Sequence, residues 1–129
     1  REFAAIHPLL GLLDHNNHTI VASAIRALGE LDAYERIDVI SEKRKKYWLS
    51  EQVSLCLIKC IERIGSGEKH TEIIAEYLYH SVYSVRFEAV SALNKLGDQG
   101  KQLLTKYESS IRDNKLSSMI AHVQHPLLQ

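Results

Sequence analysis

VSALNKLGD, residues 90–98, repeats a spacing used twice earlier in the chain, in IRALGELD at 25–32 and IKCIERIG at 58–65. Each copy opens on an aliphatic residue, carries a small residue third and aliphatics fourth and seventh, and places Asp or Gly eighth. Ile25 and Ile58 are 33 residues apart, and Ile58 and Val90 are 32 apart. A fixed period of that size marks an array of small supersecondary units.

Extended backwards, the copies become TIVASAIRALGEL, QVSLCLIKCIERI and SVRFEAVSALNKL. Five columns align: Ile20, Val53 and Val85; Ala24, Leu57 and Ala89; Ala27, Cys60 and Ala92; Leu28, Ile61 and Leu93; Leu31, Ile64 and Leu96. The columns follow the i, i+4, i+7, i+8, i+11 stripe of an amphipathic helix, with no alternation of the strand kind. The Ala27, Cys60 and Ala92 column is small because close helix packing needs short side chains where backbones approach.

The other half of each period also reads as helix. FAAIHPLLGLLD precedes the first copy, with Leu9, Leu12 and Leu13 on one side. AYERIDVISEKRKKYW precedes the second, with Ile37 and Ile40. TEIIAEYLYHS precedes the third, with Ile74, Tyr77 and Leu78. DHNNH, LDA, GSGE, HSVYS and GDQG separate the helices with the residues expected at helix ends. Gly65 and Gly97 fall where a left-handed C-terminal cap favours glycine. After Gly97 a fourth pair is expected, LLTKYESSI with Leu103, Leu104, Tyr107 and Ile111, then KLSSMIAHV with Leu116, Met119, Ile120 and Val123. The whole chain is therefore expected to be all-α, one domain of four helical hairpins at about 1–32, 33–65, 66–97 and 98–129.

On HPLLGLLD, on GLLDHNNHTIVASAIRALGELD and on SVRFEAVSALNKLG, the chain resembles the HEAT-repeat family, in the short bacterial form related to bilin-lyase repeats. The family's Val-Arg pair is matched by Val85-Arg86; Ile20-Val21 and Val53-Ser54 lack the Arg. The Trp, Gly and Tyr spacing of tetratricopeptide repeats is missing. The resemblance implies a right-handed α-solenoid whose second helices line the concave side, a surface on which many solenoids bind partners. The stripes off the core on those helices hold Thr19, Ser23, Arg26 and Glu30; Gln52, Cys56, Lys59 and Arg63; and Ser84, Glu88, Ser91 and Lys95. Arg26, Glu30, Gln52, Lys59, Arg63, Glu88 and Lys95 are the candidate partner-binding ladder.

A chain of 129 residues can bury a core without disulfides or metals. Sixteen basic and 16 acidic residues give zero net charge, unlike the basic surplus of a dedicated nucleic-acid binder. No apolar run approaches the roughly 20 residues of a membrane span. The chain does not begin with Met and is expected to be a piece of a larger protein, monomeric by itself. Cys56 and Cys60 share a helix face, read as two free thiols of a reduced, cytoplasmic compartment.

KRKKYW, residues 43–48, breaks the apolar pattern. Lys43, Arg44, Lys45 and Lys46 with Trp48 fit a phosphate contact with base stacking. They also reach the low end of the basic clusters that contact a membrane surface; the preferred reading is a solvated helix end whose cations complement the helix dipole, with Tyr47 and Trp48 folded back beneath a shortened hairpin. Of the histidines, His15 and His18 flank a turn, His122 and His125 lie near the end, and His70 and His80 bracket one helix and are expected to face water. None has the acidic or thiol partners of a metal site. No phosphate loop, nucleophile elbow or zinc motif occurs, and Glu62 is placed for an ordinary pair with Lys59. No cofactor and no catalytic set is expected. The sequence reads as a non-catalytic module that binds another protein or a neighbouring domain of its own chain. The alternative is a nucleic-acid binder using 43–48 together with Arg26, Lys59, Arg63 and Lys95. A third reading, an enzyme or enzyme accessory related to bilin lyases, rests on the resemblance alone.

Overall fold

Helical spacing in every periodic segment is matched by the backbone. In the computed structural model, residues 3–124 are described, with side chains for residues 4–111. All regular elements among them are helical: α1 (Phe3–Gly11), α2 (His18–Glu30), α3 (Ile37–Lys46), α4 (Glu51–Ile64), α5 (Gly67–Glu76), α6 (Tyr83–Lys95) and α7 (Gly97–Gln124). Single 3-10 turns at Leu12–Asp14, Tyr34–Arg36 and Tyr77–Tyr79 complete the set. No helix of the described residues is long and apolar enough to cross a membrane.

The helix starts show how one position is handled in three ways. Asn17 caps α2 by accepting from the Thr19 N–H, and Ser50 caps α4 by accepting from the Val53 N–H. Each side-chain oxygen meets a donor that the first helical turn leaves unpaired. The third equivalent is Val82, which has no such oxygen. Its own N–H instead donates to His80 Nδ1 at 3.0 Å. Arg86, beside Val82 in the next turn, donates to the His80 carbonyl at 2.7 Å. Val82 and Arg86, the Arg of the family's Val-Arg pair, thus tie the helix start to the preceding turn.

The helix ends correct one expectation. Gly97 adopts φ 76°, the left-handed conformation that glycine favours, and its equivalent Asp32 adopts φ 55°. Gly65 does not: its φ of −75° and ψ of 163° are extended. It is small for another reason. A Cβ there would stand 2.5 Å from the Ile61 carbonyl and 3.0 Å from the His70 Cβ.

α2 packs on α4, α4 on α6 and α6 on α7, while α1, α3 and α5 pack against α2, α4 and α6 respectively. The core lies between these helices. Val53, Val85, Ala24, Leu57, Ala89, Cys60, Ala92, Leu28, Ile61, Leu93 and Ile64 are buried, while Ile20, Ala27, Leu31 and Leu96 are half-buried. Burying each large aliphatic side chain contributes roughly 1.5–3 kcal/mol, so the apolar stripes dominate stability. In the first hairpin Leu13 is buried and Leu12 turns outward.

Side-chain bonds between hairpins recur at the sequence period. Thr19 meets Gln52, Arg44 meets Glu76, Asp38 meets His70, and Trp48 meets His80, at separations of 33, 32, 32 and 32 residues. Equivalent positions of successive copies are therefore neighbours in space.

The fourth hairpin is not formed. Residues 97–124 run as the single helix α7, where the pattern expects a turn near 112–115. Leu103, Leu104 and Tyr107 of α7 pack against the core. The side chains of Leu116, Met119, Ile120, His122 and Val123, and all of His125, lie outside the described residues.

Candidate partner-binding groove

The small-residue column decides where two helices approach. Gly29 of α2 faces Cys60 of α4, and a Cβ on Gly29 would lie 3.5 Å from Cys60 Sγ and 3.6 Å from Cys60 Cα. Larger side chains flank that contact, so the two helices enclose an open groove of about 550 Å³. Arg26, Glu30, Lys59 and Arg63 line it, together with Cys56 and Glu62. Four of the seven ladder residues thus come together. Gln52 lies outside the groove and exchanges a hydrogen bond with Thr19. Glu88 and Lys95 stand on α6, Glu88 half-buried and Lys95 exposed.

The charges of the groove are of two kinds. Arg63 pairs with Asp32 at 3.3 Å. Glu62, expected beside Lys59, instead reaches Lys95 on the next second helix at 3.8 Å. Glu62 is the residue of this site that the sequence pattern missed; its place beside Gly29 in the column facing the next helix was the available signal. Arg26, Glu30 and Lys59 are exposed and make no ion pair among the described residues. Two cations and one carboxylate are consequently presented to whatever enters.

The thiols are not reactive groups. Burial pushes the Cys56 thiol up, against the opposing pull of Arg26 and Lys59, and pushes Cys60 up to about 12. A thiol so raised is protonated at neutral pH and is a poor nucleophile. Both cysteines are free.

The basic run is built into the fold. Lys43 and Lys46 both reach Asp14 Oδ1, at 2.9 and 3.2 Å. Arg44 donates through Nε and Nη2 to the two oxygens of Glu76, a bidentate pair at 2.9 and 3.2 Å. Only Lys45 points fully outward, 3.9 Å from Glu42. The Asp14 carboxyl is held below its ordinary range by hydrogen bonds from Lys43 and Lys46.

The aromatics that follow also face inward. Tyr47 is buried and donates to the Leu13 carbonyl at 2.8 Å. Trp48, half-buried, stacks on Tyr77. Helix α3 ends in charge where its equivalents are apolar, and these two rings fill the space beneath it.

Two histidines expected in water are buried instead. His70 Nδ1 accepts from the Ser66 N–H at 2.8 Å, and its Nε2 faces Asp38 at 3.0 Å. His80, 1% exposed, accepts from Val82 N–H through Nδ1, so Nε2 carries the proton and donates to the Trp48 carbonyl at 2.6 Å. Histidine can be buried when both ring nitrogens are satisfied, which periodicity alone does not reveal. His15 repeats the local turn, its Nδ1 accepting from the Asn17 N–H, but at an exposed site.

No protein family, curated protein or solved structure gives a match to this chain.

Proposed function

We propose that this chain is a HEAT-like, right-handed α-solenoid module without catalytic activity, and that the groove between α2 and α4 binds a segment of another protein or of a neighbouring domain. Hairpin stacking is supported by contacts that recur at the sequence period, since each unit of a solenoid touches only its neighbours. The binding role is carried by one contrast. Lys43, Arg44 and Lys46 of the basic run are paired with the carboxylates of Asp14 and Glu76, whereas Arg26, Lys59 and Glu30 line an open groove without ion-pair partners among the described residues. Charges held this way recognise a complementary surface and set its register.

Nucleic-acid binding through residues 43–48 ranks below this reading. Lys43, Arg44 and Lys46 would first have to exchange Asp14 and Glu76 for phosphates, and one face of Trp48 is already covered by Tyr77.

The test is affinity capture of a binding protein from cell extract, followed by measurement of the purified pair. Arg26→Glu combined with Lys59→Glu should weaken that complex at least about tenfold, while Lys45→Glu leaves it unchanged. Equal affinity for the groove variant would sink the proposal. Binding of duplex DNA at physiological salt, abolished by Lys43, Lys45 and Lys46 changed together to Gln, would put the nucleic-acid reading in its place.

A further inference from the structure

Among the described residues, the outer face of α6 carries exposed aromatic rings. On α2, Gly29 faces Cys60 of α4, and Ala22 and Ile25, on the same side of the helix, are buried with it. One period on, Leu55, Ile58 and Glu62 occupy the same columns on α4, and Glu62 bridges to Lys95 of α6. One further period on stand Phe87, Val90 and Asn94 of α6, with Tyr83 a turn before them. With α7 packed on α5 and α6, Phe87 is still 61% and Tyr83 70% exposed. Their rings lie 6.3 Å apart, and Arg86 stands over Tyr83 at 5.7 Å. Such a cluster of exposed aromatic rings is the usual mark of an interaction surface.

The chain also carries the matching half. Inside the fold, the surface received by α2 is the back of α4, with Val53 and Cys60; the equivalents on the back of α2 are Ile20 and Ala27. Both are only half-buried, whereas Val53, Cys60, Val85 and Ala92 are buried. The two ends of the molecule are therefore the two sides of a contact that it already makes twice, α2 with α4 and α4 with α6. We propose that a second copy of this chain docks end to end, the back of its α2 seated on Tyr83, Phe87 and Val90 of α6. Carrying the internal register across, Asn94 of one copy meets Ala27 of the other as Gly29 meets Cys60, and Phe87 comes against Ile20. The two faces differ, so the contact is heterologous and can extend into a row instead of closing as a symmetric pair.

Sedimentation velocity over a concentration series tests it. The unaltered chain should shift from monomer to larger species with increasing concentration. Phe87→Glu and Ala27→Glu should each weaken association at least about tenfold. Mixed in equal amounts, they should form dimers that go no further, because one copy still offers an intact α2 and the other an intact α6. Circular dichroism checks that each variant is folded; Tyr83→Ser, at a more exposed site, replaces Phe87→Glu if that variant is not. A chain that stays monomeric at every concentration would overturn the proposal and leave the face to a different partner. So would Ala27→Glu associating like the parent, which would mean that α6 pairs with α6. Lys59→Glu, in the groove but on α4, should leave this association unchanged, which separates the end contact from the groove.

Discussion

Trp48 lies nearly parallel to Tyr77, with ring centroids 4.7 Å apart and planes 17° from coplanar. His80 closes the group, its ring 4.9 Å from Trp48. The three residues come from two successive repeats and join the loop after α3 to the turn after α5. Here aromatic stacking takes over the work that aliphatic side chains perform in the other hairpins, and it compensates for the charged end of α3.

Trp48→Ala should therefore destabilise the fold by about 2 kcal/mol, less than for a fully buried tryptophan because Trp48 is only half-buried. Urea unfolding followed by circular dichroism measures this. Trp48 fluorescence should not respond to duplex DNA at physiological salt. Clear quenching would show that the ring leaves Tyr77 to stack on a base.

Arg44 and Lys45 are adjacent in sequence and should behave oppositely. The Arg44 side chain is 12% exposed and forks onto Glu76, whereas that of Lys45 is 74% exposed. Arg44→Ala should cost about 1–2 kcal/mol, a bidentate charged bond moderated by the half-exposed Glu76. Lys45→Ala should stay within about 0.5 kcal/mol of the parent. A chemical-denaturation pair of curves decides it; equal costs would mean that the run acts as a uniform solvated end.

Much of this was legible in the sequence, and the physics explains which part. Leu28, Ile61 and Leu93 are buried equivalents because a 3.6-residue stripe reports directly which face a helix turns inward. Arg26, Glu30, Lys59 and Arg63 were found the same way, as the stripe off that face. Polar burial was not legible. His70 and His80 are inside because Asp38 and Trp48, each 32 residues away, supply the second partner that the local bonds from Ser66 and Val82 leave open, and no local pattern encodes such pairs. The continuous α7 was missed for a related reason. Arg112-Asp113-Asn114-Lys115 carries residues common at breaks, but none of them lacks a backbone donor as proline does, so a helix can pass through.

Acid should weaken the fold through Asp14 and Asp38. Both carboxyls are held below the ordinary 3.8, Asp14 by Lys43 and then Lys46, Asp38 by His70 and then Lys69. A carboxyl depressed in the folded state stabilises it above the unfolded value and loses that contribution as pH falls through the folded one. Stability should thus decline from about pH 4 downward on account of these two groups. Asp14→Asn with Asp38→Asn should flatten the decline between about pH 4 and 2 and should lower stability at neutral pH. Thermal melts across that range read both effects. A decline as steep in the double variant would assign it to other groups.

Gly65 and Gly97 are equivalent in the repeat, yet alanine should fail at them for different reasons. At Gly97 nothing lies within 4 Å of a new Cβ, and the obstacle is the positive φ of 76°. Left-handed backbone costs a non-glycine residue about 1–2 kcal/mol, so Gly97→Ala should lose that much and Gly97→Asn less. At Gly65 the backbone suits any residue, and the obstacle is the Ile61 carbonyl at 2.5 Å with the His70 Cβ at 3.0 Å. Gly65→Ala must push α4 and α5 apart, an overpacking loss of about 1–3 kcal/mol. Asn should be no better than Ala there. The displacement should also disturb the His70–Asp38 bond, which the His70 ring signals report by NMR. Unfolding curves for the two alanine and two asparagine variants separate the mechanisms. Rescue by Asn at Gly65, or unchanged His70 signals in Gly65→Ala, would show that the crowding is relieved without moving the helices.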